Sequence, residues 1–168
     1  LSAAYDFSDF SKFGLNAGSH FEWTGEPRKN YINAQDLSSG TQWAGSGTVE
    51  AVGSPTIGGV PAYRFAAGAY RTHAISTDTA MAGRTFTVCV LVDGPAGAKF
   101  VISQTDNVTE TRSKTYVLGA GGKRYVFHTT SWGAGSTGPN IGFTIGNTGS
   151  ASLDFAMPCI WESPGPLP

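Results

Sequence analysis

Apolar and polar residues alternate in short runs along most of the chain after residue 29, and glycine, proline, asparagine and serine separate the runs. Alternation is typical of strands with one buried and one wet face, and such close spacing is typical of antiparallel sandwiches and barrels. The pattern predicts strands at residues 48–52, 62–65, 70–75, 85–92, 99–104, 113–118, 123–130, 140–146 and 152–162. No stretch has useful helical periodicity, so we expect an all-β, antiparallel two-sheet β-sandwich of the jelly-roll type.

Two of these runs carry more apolar residues than one buried face requires. In the run at 85–92, Cys89 and Leu91 lie on one face, and the other face carries Phe86, Val88, Val90 and Val92. A strand that is apolar on both faces is predicted to be central in its sheet or covered by the N-terminal segment. The last run is predicted to place five residues on one side: Leu153, Phe155, Met157, Cys159 and Trp161.

Residues 1–29 form a different kind of segment, because six aromatic residues crowd into them: Tyr5, Phe7, Phe10, Phe13, Phe21 and Trp23. Each ring can bury on the order of 150–250 Å². We therefore expect this segment to dock on its own domain, on a sister subunit or on a larger assembly, and we favour docking between chains. The chain is thus divided into an aromatic-rich N-terminal leader, residues 1–29, and a β-sandwich module, residues 30–168.

The charge of the chain excludes some partners. Charged residues are 14% of the chain, against about 25% in ordinary globular proteins, so the surface is expected to be neutral and rich in hydroxyls. Lysine and arginine are scattered singly or in pairs, which predicts no nucleic-acid partner. No apolar run approaches the ~18 residues of a membrane span, and no signal-peptide pattern is present, so we expect no membrane partner.

Two cysteines allow one disulfide. Cys89 and Cys159 have neither Cys-x-x-Cys spacing nor a nearby histidine, so they form no metal pattern. Each lies in an apolar, strand-like run. Two interpretations stay open: buried free thiols that pack as small hydrophobic groups, or a bridge between two core strands.

Catalytic motifs are absent from the sequence: it has no Gly-x-Ser-x-Gly, no His-Glu-x-x-His and no phosphate-binding glycine loop. Most carboxylates fall in predicted turns, where aspartate is favoured for backbone reasons. His20, His73 and His128 are far apart in sequence. We therefore expect no enzymatic activity and no cofactor, although a structural calcium ion could be held by Asp78 or by Asp106 and Asn107.

Several stretches together carry a family resemblance. They are Asn-Tyr-Ile-Asn-Ala-Gln-Asp-Leu at 30–37 followed by Trp43, Gly-Arg-Thr-Phe-Thr at 83–87, Gly-Gly-Lys-Arg-Tyr-Val-Phe at 121–127, Ile-Trp-Glu-Ser-Pro-Gly-Pro at 160–166, and Tyr-Asp-Phe-Ser at 5–8. These stretches resemble the carbohydrate-binding-module-like jelly rolls of phage tail fibres, tail spikes and head fibres. The pieces together span most of residues 30–166.

The resemblance implies a non-enzymatic, extracellular role on a virion, as a fibre, spike or decoration module that binds a host-surface glycan or receptor. Residues 1–29 would attach it to other virion proteins or to sister subunits, and a homo-oligomer would be natural for such an appendage. Two alternatives stay open. The chain could be a purely structural virion assembly protein, such as a collar, capsid or tail component, or a carbohydrate-binding module of a larger extracellular bacterial enzyme.

Glycan binding needs an exposed aromatic ring to stack on a sugar, and polar groups to hydrogen-bond its hydroxyls. Trp132 and Trp43 are the candidate stacking residues, because each lies in a loop-like, glycine-rich sequence. A core role is also open for Trp43, because its position belongs to the resembled motif. Trp23 and Trp161 are expected to pack inside.

One predicted strand could add polar groups to such a site. Tyr70, Arg71 and His73 lie in the run at 70–75 and could reach a ligand from its solvent face. An ordinary strand surface accounts for them equally well. The predicted ligand-binding residues are therefore Trp132, Trp43, Tyr70, Arg71 and His73.

Overall fold

The computed structural model describes residues 13–15, 21–23, 30–32, 36–57, 60–77, 79–106, 111–122 and 124–163, with the backbone alone at 13–15, 21–23, 53–57 and 124. The strands in these ranges are β1 (Phe13–Leu15), β2 (Phe21–Trp23), β3 (Ala44–Ser46), β4 (Val49–Ile57), β5 (Val60–Phe65), β6 (Tyr70–Ser76), β7 (Thr85–Asp93), β8 (Lys99–Thr105), β9 (Thr111–Val117), β10 (Arg124–Ser131), β11 (Asn140–Asn147) and β12 (Leu153–Ser163). Among these residues, no helix is long and apolar enough to cross a membrane.

Ten strands form two five-stranded sheets, and every pair is antiparallel. The first sheet has the order β10-β7-β12-β5-β4 and is called the β7 sheet; the second has the order β3-β6-β11-β8-β9 and is called the β11 sheet. β1 and β2 form a separate two-stranded hairpin. The predicted antiparallel two-sheet sandwich is confirmed.

The core lies between the two sheets, where the inward-facing residues of both meet. Phe65 and Phe155 of the β7 sheet pack edge to face at 4.7 Å between ring centroids. Phe100 of the β11 sheet contacts Phe155 at 5.8 Å, so the aromatic packing crosses from one layer to the other. All three side chains are fully buried, and burial of rings of this size is the main favourable contribution to folding.

Nine of the ten sandwich strands correspond to predicted runs. Eight of them begin and end within two residues of the prediction, and β4 extends five residues further. β4 runs directly into β5, since Ile57 pairs with Val60. β7 lies between β10 and β12, so it has the central position that was one of the two predicted from its apolar faces. The short edge strand β3 was not predicted, because its Ala-Gly-Ser sequence reads as a turn.

The side predicted for the last strand is wrong for part of β12. Ala156 pairs with Leu91 and Cys159 pairs with Cys89. Two residues of β12 therefore lie opposite one residue of β7, which defines a β-bulge. Met157 adopts a positive φ of 54° within the bulge. The extra residue reverses the alternation, so Leu153, Phe155 and Ile160 enter the core, whereas Met157, Cys159 and Trp161 lie on the outer face.

The first residues of the module, Asn30 and Tyr31, are hydrogen-bonded to strand β12. The backbone N–H of Tyr31 donates to the carbonyl of Ile160 at 2.9 Å. The Asn30 Oδ1 atom accepts from the backbone N–H of Ile160 at 3.1 Å. The chain thus enters the sandwich beside β12 at Asn30, while the division into leader and module stays a prediction.

Candidate functional site

The outer face of the β11 sheet is uncharged at its centre and rich in hydroxyls. Ile141, Phe143 and Ile145 of β11 point into the core, so Thr144 and its neighbouring glycines point outward. Register places Thr72 on one side of Thr144 and Ser103 on the other. We call this surface the hydroxyl face; its members are Tyr70, Thr72, Val101, Ser103, Ser113, Thr115, Gly142, Thr144 and Gly146.

Hydrogen bonds between neighbouring strands organise the hydroxyl face. The Thr72 and Thr144 hydroxyls are 2.8 Å apart, and the Ser113 hydroxyl donates to that of Ser103 at 2.9 Å. Each hydroxyl also has capacity beyond this single bond, because it has one donor and two lone pairs. The row can therefore hydrogen-bond a ligand while it keeps its internal contacts.

Tyr70 is the exposed aromatic residue of this face, with 43% of its surface accessible. It pairs with Gly146, which pairs on its other side with Val101. A Cβ atom at Gly146 would lie 3.3 Å from Tyr70 Cβ and 3.1 Å from Val101 Cγ1. The missing side chain leaves the backbone of β11 as a flat floor beside the Tyr70 ring.

Arg71 faces the opposite way from Tyr70 and is bound to backbone. Its Nε donates to the Leu37 carbonyl at 3.1 Å, and Nη1 donates to the carbonyls of Tyr70 at 2.8 Å and Ser46 at 3.2 Å. Burial lowers the pKa of Arg71 from its ordinary value. Its guanidinium joins the edge strand β3 to the sheet, and so it supports the position of Tyr70.

Trp43 and His73 pack together on the core side of the same edge. The Trp43 ring is 1% exposed, and its centroid lies 5.0 Å from His73 and 6.0 Å from Phe143. The His73 Nδ1 atom lies 2.7 Å from the Gln42 carbonyl, to which it donates. The structure places Trp43 in the core role that the resemblance allowed, and it presents no open face for stacking.

Trp132 was expected to be exposed, and this is wrong: 3% of its surface is accessible. Its backbone N–H donates to the Arg84 carbonyl, and its carbonyl accepts from Gly83 N–H, each at 2.9 Å. These contacts bring its loop against the Gly83 turn, where the indole closes the end of the core. Of the predicted ligand residues, the structure thus groups Trp43, Tyr70, Arg71 and His73 at the β3–β6 edge and leaves Trp132 elsewhere.

Trp161 was expected inside and lies on the outer face of the β7 sheet, half-buried, with its ring centroid 6.4 Å from that of Phe127. The extra residue of the β12 bulge is the physical reason. Residues near it form a second apolar cluster on this outer face: Val60, Ala62, Leu91 and Ala156, with Val52, Tyr125 and Met157 packed against them.

A polar cleft of about 340 Å³ lies at the Asp93 end of the β7 sheet, lined by Arg64, Asp93, Gly94, Pro95, Ser152 and Asp154. Arg64 binds Asp154 with two hydrogen bonds of 2.8 and 2.9 Å. The hydrogen bond that Arg64 donates to Asp154 is the main cause that raises the pKa of Arg64. The cleft is therefore built around an ion pair whose two members already satisfy each other.

The calcium candidates fall mostly outside what the structure describes. Asp106 is fully buried, while Asp78 and Asn107 lie outside the described residues. The described ranges contain no group of three or more histidine, cysteine, aspartate or glutamate residues that could hold a metal ion. Calcium binding stays a prediction.

Comparisons with known proteins place the fold. No family model matches the chain, and no curated protein matches it. The carbohydrate-binding module TmCBM61, solved with β-1,4-galactotriose, is similar with a TM-score of 0.61 at 14% identity, over 80% of this chain and 99% of that one. The CBM22-1 and GH10 modules of the Clostridium thermocellum xylanase Xyn10B, solved with xylohexaose, give 0.57 at 14% identity, over 83% of this chain and 29% of that one.

Proteins with other roles are similar as well. The enzymatically active domain of tailspike protein 4 from bacteriophage CBA120 gives a TM-score of 0.57 at 12% identity, over 80% of this chain and 21% of that one. A Stig cyclase from Fischerella sp. TAU gives 0.55 at 9% identity, over 73% and 77%. At such identities the likeness defines the fold: this chain has the jelly-roll sandwich of carbohydrate-binding modules.

Proposed function

We propose that this chain is a non-catalytic module that binds a glycan on its hydroxyl face, with Tyr70 as the stacking residue. The observation that carries the proposal is the exposed Tyr70 ring beside the glycine floor of β11. An aromatic ring offers a sugar an apolar surface, and neighbouring hydroxyls bond its polar edge. The face of a sheet suits a chain of sugars because it offers the same groups along several parallel rows.

The ligand class follows from the charge of this face. Its members carry no charged side chain, so the centre of the face offers no counter-charge to an acidic polysaccharide. The similar modules TmCBM61 and Xyn10B were solved with galactotriose and xylohexaose, which are neutral. Neutral β-linked glycans are therefore the first ligands to test.

The test is titration calorimetry of the full chain against oligosaccharides selected on a glycan array. Tyr70→Ala is expected to weaken binding at least about tenfold, equal to about 1.4 kcal/mol, and Tyr70→Phe to retain it, because the ring remains. The matched control is Tyr125→Ala, since Tyr125 is a half-buried tyrosine on the outer face of the β7 sheet, on the opposite side of the sandwich. Equal loss in both alanine variants would contradict a site centred on Tyr70.

The predicted residues supply a second arm of the same test. Because Trp43 and Trp132 are buried, a loss of binding in Trp43→Ala or Trp132→Ala counts only where the melting temperature shows that the variant is folded. If Tyr70→Ala binds normally and such a folded tryptophan variant does not, recognition lies at that tryptophan. His73→Ala and Arg71→Lys test whether these residues contact the glycan directly or only support the fold around Tyr70. A supporting role for Arg71 predicts weaker binding that recovers when osmolytes restore the fold.

We further propose that the module is carried on a virion appendage and works outside the cell, attached to virion proteins or sister subunits through residues 1–29. The similar tailspike domain supports a virion carrier, and the similar xylanase modules support a larger extracellular bacterial enzyme as the alternative. A variant without residues 1–29 that stays soluble and monomeric and still binds glycan supports attachment through the leader. If the variant without residues 1–29 is no longer incorporated into particles, and neither it nor the full chain binds glycan, a purely structural virion protein is favoured.

A further inference from the structure

Cys89 and Cys159 face each other across two central strands. They are register partners in the β7–β12 pair, and both are free thiols in the structure. The Cys159 thiol donates to the Cys89 carbonyl at 3.7 Å. Directly opposite residues of antiparallel strands have Cα atoms about 4.5–5.5 Å apart, which lies within the roughly 4.4–6.8 Å that a disulfide spans.

The β-bulge of β12 is what brings the two thiols together. Without its extra residue, Cys159 would share the side of Phe155 and point into the core. The bulge instead turns it to the outer face, at the cost of a positive φ at Met157, a conformation that side chains other than glycine rarely adopt. Unfavourable backbone geometry retained at one place points to a role for what it positions.

The two thiols differ in accessibility. Cys89 is 8% exposed, and the hydrogen bond with Cys159, followed by burial, holds the pKa of Cys89 well above its usual range. Cys159 is half-buried and therefore within reach of solvent. An oxidant is thus expected to meet Cys159 first, and Cys89 then lies in position to complete the reaction.

We propose that Cys89 and Cys159 form a thiol–disulfide site that closes to a cross-strand disulfide in an oxidising medium. With a low-molecular-weight disulfide such as oxidised glutathione, the Cys159 thiolate attacks one sulfur, and one glutathione leaves as thiolate. Cys89 loses its proton to solvent and attacks Cys159 Sγ, which expels the second glutathione. The protein is oxidised by two electrons, and the oxidant is reduced to two thiols that take up the two protons.

Closure would reinforce the strand to which the N-terminal residues are bonded. Cys159 precedes Ile160, whose backbone N–H and carbonyl hold Asn30 and Tyr31. The cross-link would also join residues 70 positions apart in sequence, and long closed loops restrict the unfolded chain most. The oxidised protein should therefore unfold at a temperature higher by on the order of 10 °C.

The test incubates the full chain with oxidised or reduced glutathione, blocks free thiols with iodoacetamide, and measures mass and melting temperature. Before blocking, we expect the oxidised sample to be two mass units lighter than the reduced one. In denaturant, it should take up no iodoacetamide, and it should yield a peptide that links residues 89 and 159. The melting temperature should rise, and reductant should reverse it. Full alkylation after oxidation, or linkage between chains only, would overturn the proposal.

Two single variants keep the outcome interpretable. Cys159→Ala removes the half-buried thiol, and Cys89→Ala removes the buried one, so either must abolish the oxidation-dependent shift. If Cys89→Ala fails to fold, the Cys159→Ala protein alone decides: a shift that persists in it would refute the proposal. A disulfide that forms without raising the melting temperature would refute its stabilising role.

Discussion

The outer faces of the two sheets differ in a way that the inner faces do not. Both sheets bury phenylalanine and branched aliphatic residues between them. Outside, the β11 sheet shows hydroxyls, glycines and one tyrosine, whereas the β7 sheet shows a second apolar cluster around Leu91. One outer face is suited to water and to polar ligands, and the other to being covered.

The difference shows how the same strand pattern serves two purposes. Apart from Tyr70 and Val101, the outward positions of the hydroxyl face carry threonine, serine or glycine, so they contribute little to stability and are free to meet a ligand. Outward positions such as Leu91 on β7 and Ala156 on β12 are buried, and these contribute to stability as core residues do. The role of an outward residue is thus set by its sheet.

The largest effect is expected at Leu91. Leu91 is 1% exposed on the outer face of the β7 sheet, so Leu91→Ala should lower the free energy of unfolding by about 2–4 kcal/mol through lost burial and a cavity. Thr72→Ala, at an outward position of the β11 sheet, should cost under about 1 kcal/mol. Urea unfolding measures both. Similar losses in the two variants would remove the contrast between the faces.

The next effect concerns the contact between the sheets. Asn147 Nδ2 at the end of β11 donates to the carbonyls of Phe65, Ala66 and Ala151 at 3.0, 3.1 and 2.8 Å. Asn147→Ala should cost about 2–3 kcal/mol, because it removes the hydrogen bonds that this buried amide donates to three carbonyls. Asn147→Asp is the matched control of equal size; it also lacks the donors and should be no more stable. A neutral Asn147→Ala would show that packing alone joins the layers at this end.

A smaller effect depends on pH. Burial, followed by the charge of Lys114, lowers the pKa of His128 below its ordinary value of 6.5. The unfolded state therefore binds a proton that the folded state resists, so the contribution is present above pH 6.5 and is lost as the pH falls toward the lower folded value. His128→Gln should flatten this part of the curve of stability against pH. An unchanged slope would mean that other groups cause it.

The smallest effect is expected at the ion pair between Arg84 and Glu162, near the start of β7 and the end of β12. Arg84 Nη2 lies 2.8 Å from Glu162 Oε2, and the glutamate side chain is 41% exposed. The hydrogen bond from Arg84 lowers the pKa of Glu162 below its ordinary value of 4.5. Its contribution is therefore present above pH 4.5 and lost below it.

Solvent screening makes that contribution small. Glu162→Gln should cost under about 1 kcal/mol at neutral pH, and less in high salt. Asp154→Asn, which breaks the pair between Arg64 and Asp154, is the comparison. Chemical unfolding at two salt concentrations measures both variants. A cost above that of Leu91→Ala would reverse the order of these effects.

Much of the fold could be predicted from local pattern, because alternation reports which residues share a face. The central position of β7 followed from its two apolar faces. The order of strands could not be predicted, since alternation does not say which strands pair. The hydroxyl face was missed for that reason: Thr72, Ser103 and Thr144 become neighbours only when β6, β8 and β11 are adjacent.

The β12 bulge was missed although the sequence carries a signal for it. Pro158 lacks the N–H that a central strand needs, and proline inside a sheet is found at edges or bulges. The prediction that the tryptophan side chains are exposed failed for another reason. Glycine-rich surroundings suggested that Trp43 and Trp132 were exposed, but an indole near a turn can fold back over the end of a core, and only tertiary packing decides this.

The attachment of Asn30 and Tyr31 to Ile160 has a mechanical consequence. A pull on the residues before Asn30 is first carried by these hydrogen bonds to Ile160, on the side of β12 that lies away from β7. An edge strand under load can peel away one hydrogen bond after another, but β12 is held by β7 along most of its length and by β5 at residues 153–156, so it resists peeling once it is loaded. If residues 1–29 tether this module, the tether enters it at a point suited to tension.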